Sequence, residues 1–218
     1  MPKKFEKEFI SYCENQNLEV NPNQIKVIKK LEDYHNSNYK SFFSKLFSKQ
    51  KTKKGFYLYG GVGVGKTMIL NFFYDHLEEK KLKQHFNEFM LGFHDFVHEQ
   101  KEKNEENVIN QFVKNLKSKA SLVYFDEFQV TNIVDAMILG KLFEQIFKED
   151  IKIILTSNTK ISELYKEGLQ REQFIPFIKI MEDQSIEYEL KIEDDYRKSN
   201  DNQKQRYFFP LNQETNFK

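Results

Sequence analysis

Lys66 and Thr67 close an octet, Gly60-Gly61-Val62-Gly63-Val64-Gly65-Lys66-Thr67, that fits the pattern Gly, four residues, Gly-Lys-Thr. That spacing suits the capture of a polyphosphate. Glycines let successive backbone N–H groups turn inward around phosphate oxygens, because no Cβ blocks positive φ or close approach. Lys66 supplies a point charge for the β- and γ-phosphates, and the Thr67 hydroxyl can ligate Mg²⁺. A helix opening at Lys66 aims the positive end of its dipole at the same anion. The expected phosphate-binding run is therefore Gly60, Gly61, Val62, Gly63, Val64, Gly65, Lys66, Thr67 and Met68. The competing reading is a glycine-rich turn without a ligand. Five of the eight glycines lie between Gly55 and Gly65, with an apolar run on each side, and that context favours a nucleotide site.

Four apolar residues followed by Asp126 and Glu127 supply the partner that a phosphate loop needs. A parallel sheet presents its strand C-termini at one edge, so Asp126 and Lys66 can face one nucleotide. Asp126 is expected to hold Mg²⁺ through its water shell. Glu127 is expected to orient or deprotonate the attacking water. Two solvated acids behind a strand are the plainer alternative, which the upstream loop disfavours. Asn158, just past the run Ile151–Ser157, suits a polar group reading the γ-phosphate, although asparagine is also common in turns. Arg171 is one of three arginines, and either reaches a neighbouring subunit's site as an arginine finger or is a surface arginine. His94 and His98 sit four apart on a predicted helix, but no third ligand is obvious, so packing is favoured over a metal.

The elements that must position these groups follow from periodicity. Residues 1–36 read as helical, with a helix start at Asn21-Pro22-Asn23. Ser37 to Lys54 holds six lysines and no acid, with Phe42, Phe43, Leu46 and Phe47 at helical spacing. Such a segment either lies on an anionic membrane or a partner, or docks on the core with its lysines in water. Strands are expected at Gly55–Tyr59, Lys83–Phe89, Leu122–Glu127, Ile151–Ser157 and Ser185–Ile192. Helices are expected from Lys66, over Met90–Lys117 with a break at 101–107, over Ile133–Phe147, and briefly at Ser162–Glu167. Strands alternating with helices predict an α/β fold, a P-loop NTPase with three α/β/α layers around a mostly parallel five-stranded sheet. The expected organisation is an N-terminal helical arm (1–54), the core (55–192) and a polar C-terminal tail (193–218).

Composition narrows the class. A net charge of +1 gives no global pull toward nucleic acid or membrane. The single cysteine, Cys13, excludes a disulfide framework. No apolar run reaches membrane-spanning length, and the start Met1-Pro2-Lys3-Lys4-Phe5-Glu6 does not read as a signal or transit peptide. A cytoplasmic protein is expected.

At these residues the chain resembles the ZapE family of bacterial cell-division ATPases and their mitochondrial Afg-type relatives. The matching text is Gly55-Phe-Tyr-Leu-Tyr-Gly-Gly-Val-Gly-Val-Gly-Lys-Thr-Met68, Phe86-Asn-Glu-Phe-Met90 and Phe125-Asp-Glu-Phe-Gln-Val-Thr-Asn-Ile-Val-Asp-Ala-Met-Ile-Leu139. It continues in Thr156-Ser-Asn158, Leu164-Tyr-Lys-Glu-Gly-Leu-Gln-Arg171, Phe174-Ile-Pro-Phe-Ile178 and Asp195-Tyr-Arg197. The resemblance implies an AAA+-like ATPase that uses ATP and Mg²⁺ and works as a homo-oligomer. It places Asn158 as the first sensor and Arg171 where an arginine finger is expected. It also suggests that Asn87, at the end of the second strand, pairs with Glu127 and holds it inactive. Bacterial members act on FtsZ polymers and associate with the inner membrane face, and this chain is more similar to that branch. Two departures stand out. Val64 occupies a position that is usually arginine, and family members continue well beyond Lys218, so a truncated or reduced variant is expected.

Three function classes remain open from sequence: an ATP-driven remodeller of a protein partner, a nucleotide-dependent assembly module with little hydrolysis, and a helicase loader. A loader should bind single-stranded nucleic acid, and no clustered aromatic and basic strand face is present for it.

Overall fold

The computed structural model describes residues 4–39, 52–100 and 104–192. Two helices open it, α1 (Lys4–Asn15) and α2 (Pro22–Tyr39). Then come β1 (Gly55–Tyr59), α3 (Lys66–Asp75), β2 (Lys81–His85), α4 (Phe86–Glu99) and α5 (Glu105–Lys119). The order ends with β3 (Leu122–Asp126), α6 (Ile133–Lys148), β4 (Lys152–Ser157), α7 (Ile175–Gln184) and β5 (Ser185–Glu189). The strands form one sheet in the order β2-β3-β4-β1-β5, and every pairing is parallel. This is the expected three-layer α/β fold.

Side-chain alternation along each strand builds two cores. Tyr57, Val123, Phe125, Ile153 and Leu155 point to the layer of α4–α7. Phe56, Leu58, Leu122, Tyr124 and Ile154 point to the layer of α1–α3. The N-terminal helices share this second core through Phe5, Phe9, Cys13, Val27, Ile28, Leu31 and Tyr34. In α6, Ala136, Leu139, Leu142, Phe143, Ile146 and Phe147 recur at three- and four-residue steps and are buried, and the Asn132 side chain caps the helix by accepting from Val134 N at 2.8 Å. Among the described residues no helix is long and apolar enough to cross a membrane.

Several elements differ from the sequence expectation: α7 (Ile175–Gln184) was not expected, and β3 stops at Asp126, one residue short of Glu127. The strand expected at Lys83–Phe89 is β2 at Lys81–His85, and Phe86 already begins α4. Phe86, Phe89, Met90 and Phe93 fit a helical face, and burying all four outweighs the strand-like alternation of Lys83–Phe86. Glu88 Oε2 also accepts from His85 N at 3.3 Å, which fixes the helix start. The short helix expected at Ser162–Glu167 is a 3₁₀ turn at Ile161–Glu163 followed by a turn, and the last strand ends at Glu189 rather than Ile192.

Most of the basic stretch 37–54 lies outside the described residues, but its ends are placed. Lys53 Nζ donates to the carbonyls of Glu182 (2.8 Å) and Asp183 in the last turn of α7. Lys54 Nζ donates to Phe147 O at 2.6 Å at the end of α6 and pairs with Asp150 at 3.2 Å. These two lysines serve as helix C-terminal caps.

Candidate active site

β1, β3 and β4 are adjacent in the sheet and end at the same edge, so the loops that follow them converge. Between β1 and α3 the chain turns through Gly63 (φ 80°) and Gly65 (φ 89°). At Gly65 the φ favours glycine, and an added Cβ would lie 2.7 Å from Gln24 Nε2 and displace that amide. No side chain caps the N-terminus of α3, so its first N–H groups face the loop as anion donors.

Lys66 is buried, with its ammonium within 2.8 Å of Gly60 O, 2.7 Å of Gly61 O and 3.0 Å of Asn158 Oδ1. Burial pushes its pKa below the usual lysine range, and the Asp126 carboxylate opposes that shift. The Thr67 hydroxyl donates to Asp126 Oδ1 at 3.1 Å, which puts two hard oxygen ligands side by side at the helix start. A cavity of about 540 Å³ opens here, lined by Val62, Gly63, Lys66, Thr67, Glu127 and Asn158 among others. Val64 and Met68, expected in the phosphate-binding run, pack their side chains against the α1–α3 core; Val64 lies in the loop and Met68 in the first turn of α3.

Asp126 is 6% exposed, whereas Glu127 next to it is exposed on the cavity wall. The reversal comes from the backbone, because Glu127 has φ 56° and turns the chain out of the sheet. Thr156 in β4 meets both residues. Its hydroxyl donates to Asp126 Oδ1 at 2.6 Å and accepts from Glu127 N at 3.0 Å. Burial, reinforced by the Asp126 charge, pushes the Tyr124 phenol far above its ordinary pKa and keeps it protonated beneath the site. The donor set therefore fits a magnesium nucleotide: backbone N–H groups and an ammonium for phosphates, a hydroxyl and a carboxylate for the metal, and a second carboxylate at the cavity wall.

Sequence reasoning placed the groups that face the cavity and missed those that hold them. Gln24 Nε2 donates to Val64 O at 3.1 Å and buttresses the loop from α2. Tyr57, buried in β1, donates to Thr159 O at 2.8 Å, and Glu187 Oε1 accepts from Ile161 N at 2.6 Å. These two bonds pin the segment that carries Asn158. Thr156 was marked only by its hydroxyl after the apolar run Ile153-Ile154-Leu155 and by its place in the family-matching string Thr156-Ser-Asn158, neither of which gave it a role. Arg171 does not line the cavity, and its Nη2 donates to Ser162 O at 2.9 Å. Asn87 lies in the first turn of α4, exposed and not hydrogen-bonded to Glu127, so the expected pairing at a strand end is not formed. His94 Nε2 is 2.7 Å from Asp135 Oδ1, a contact between α4 and α6.

Sheet order, phosphate loop and carboxylate strand together define a P-loop protein of AAA+ type. The chain belongs to the family described as AFG1-like ATPase, which it matches over residues 12–218. It is 39% identical over 161 residues to lactation elevated protein 1 homolog B of Danio rerio, covering 69% of this chain and 32% of that protein. It is 35% identical over 169 residues to the cell division protein ZapE of Escherichia coli, covering 77% of this chain and 44% of ZapE. The chain thus aligns with less than half the length of these relatives. Among solved structures, domain III of the Thermotoga maritima replication initiation protein DnaA superposes with a TM-score of 0.54 at 16% identity, covering 84% of this chain and 69% of that one. The DnaC helicase loader superposes with a TM-score of 0.53 at 12% identity, covering 79% and 92%. At these identities the likeness extends to the fold alone.

Proposed function

We propose that this chain binds ATP with Mg²⁺ and hydrolyses it, as the core of a homo-oligomeric machine that remodels a protein partner. The observation that carries this reading is the convergence on one cavity edge of Lys66 and Thr67 after β1, Asp126 and Glu127 at the end of β3, and Asn158 after β4. Magnesium, when bound, would offset phosphate charge, including the charge that builds on the leaving oxygen, with Thr67 and Asp126 as its protein contacts. The loop N–H groups and the Lys66 ammonium bind the phosphates. Asn158, which already shares that ammonium, places a polar side chain beside it. Glu127 orients a water and takes its proton as the water oxygen attacks the γ-phosphorus and the bond to the bridging oxygen breaks. Because Arg171 lies outside its own cavity, it suits a group acting on a neighbouring subunit's nucleotide.

The finer reading is a cytoplasmic role in bacterial cell division, acting on FtsZ at the inner membrane face, without a nucleic-acid partner. It is supported by the 35% identity to ZapE. The test of the whole proposal is steady-state ATP turnover against protein concentration, with Mg²⁺ and with a chelator. Turnover that requires Mg²⁺ and rises cooperatively with concentration supports it. ATP binding without turnover would replace it with a nucleotide-dependent assembly module.

A further inference from the structure

We propose that Thr156 is a positioning residue for hydrolysis, whose single hydroxyl sets the Glu127 backbone and the Asp126 carboxylate in register. The inference rests on the ATPase reading above. Thr156 is 1% exposed at the cavity wall, and its hydroxyl is satisfied by protein groups. It uses both of its functions on the site: it donates to Asp126 Oδ1 at 2.6 Å and accepts from Glu127 N at 3.0 Å.

The geometry around it explains why that matters. The parallel ladder between β3 and β4 runs to the pair Phe125 and Leu155 and stops there. Two residues further on, Glu127 adopts φ 56°, a left-handed conformation that a residue with a Cβ rarely takes. Bonds from the end of β4 hold that turn. Besides the hydroxyl, Phe128 N donates to Thr156 O at 2.7 Å, and Ser157 Oγ donates to Phe128 O at 3.0 Å. The result is a three-way sorting of neighbours: Asp126 stays buried, Glu127 turns out to the cavity, and Phe128 inserts into the core. Asp126 Oδ1, at 3.2 Å, is the other acceptor for Glu127 N, and Thr156 holds that oxygen as well. Loss of the hydroxyl therefore loosens the metal-facing carboxylate and the water-facing carboxylate together. It leaves the phosphate contacts of Lys66 and the loop untouched.

The test compares Thr156→Val, which removes the hydroxyl at similar volume, with Thr156→Ser, which keeps it. Thr156→Ala is a second hydroxyl-free variant if the valine variant melts below the assay temperature. ATP affinity, steady-state turnover and amide hydrogen exchange at Glu127 are measured on the full chain. The hydroxyl-free variant should lose about 10- to 100-fold in kcat, from the loss of one hydrogen bond to a carboxylate and one from a backbone N–H. Its ATP Kd should stay within about threefold, with faster exchange at the Glu127 amide. The serine variant should keep kcat within about threefold of wild type. Wild-type kcat in Thr156→Val, or equal losses in the valine and serine variants, would overturn the proposal. A wild-type chain that binds ATP without turning it over would instead overturn the ATPase reading, and this inference with it.

Discussion

Replacing Lys66 by methionine removes an ammonium at the phosphate loop while keeping most of the side chain's volume. A cation and a phosphate oxygen about 4 Å apart at an effective permittivity of about 20 attract by about 4 kcal/mol. Part of that is offset in the free protein, where the Lys66 ammonium already bonds Gly60 O, Gly61 O and Asn158 Oδ1 and must share or release them. The net loss should be about 3–4 kcal/mol, or roughly 100- to 1,000-fold in Kd for ATP. Isothermal titration with Mg-ATP reads this directly. A thermal melt of the same variant should move by only a few degrees, because methionine avoids burying a charge whose pKa is already depressed by burial. A folded Lys66→Met variant that binds ATP within threefold of wild type would refute the assignment of the phosphate site.

Tyr57→Phe should lower stability by about 1–2 kcal/mol, since it strips Thr159 O of its buried donor. It should also slow turnover a few-fold by loosening the Asn158 segment, and an unchanged denaturation midpoint would argue against this. Burial raises the pKa of the Asp150 carboxyl, but the hydrogen bonds and charges of Lys152 and Lys54 outweigh it and hold that carboxyl below its usual range. A carboxylate depressed on folding stabilises above its unfolded pKa, about 4, and loses that contribution as pH falls through the folded value. The melting temperature gap between wild type and Asp150→Asn should therefore be present at pH 7 and shrink below about pH 4. A gap independent of pH would count against the Lys54–Asp150–Lys152 pairing as its source. Arg171→Ala should leave ATP affinity unchanged and reduce turnover about 10-fold or more only at concentrations where subunits associate. Full activity in the assembled state would remove the trans role.

The groups that face the cavity were readable because each is a local pattern: glycine spacing for the loop, four apolar residues before Asp126, and a helical stripe from Ile133 onward. The boundary between β2 and α4 was not readable, because Phe86 fits both a strand alternation and the first position of a helical face. β2 is also an edge strand, and its Lys83 and His85 stay exposed, so it lacks the apolar run that marked β3 and β4. The supports of the site were invisible for another reason. Thr156 bonds Asp126 across 30 residues, Gln24 bonds Val64 across 40, and Tyr57 bonds Thr159 across 102. Such contacts exist only once the fold brings β1, β3 and β4 side by side and packs α2 against the loop. Glu127 was legible as an acid but not as a residue turned outward by a left-handed backbone, because glutamate carries no signal for φ 56°.

The most direct test of the central claim is a single-turnover experiment with γ-labelled ATP and the protein in excess, comparing wild type with Glu127→Gln. Wild type should release labelled phosphate, and Glu127→Gln should bind ATP with unchanged affinity and retain it intact. Phosphate release by Glu127→Gln at the wild-type rate would show that another group activates the water and would contradict the site described here.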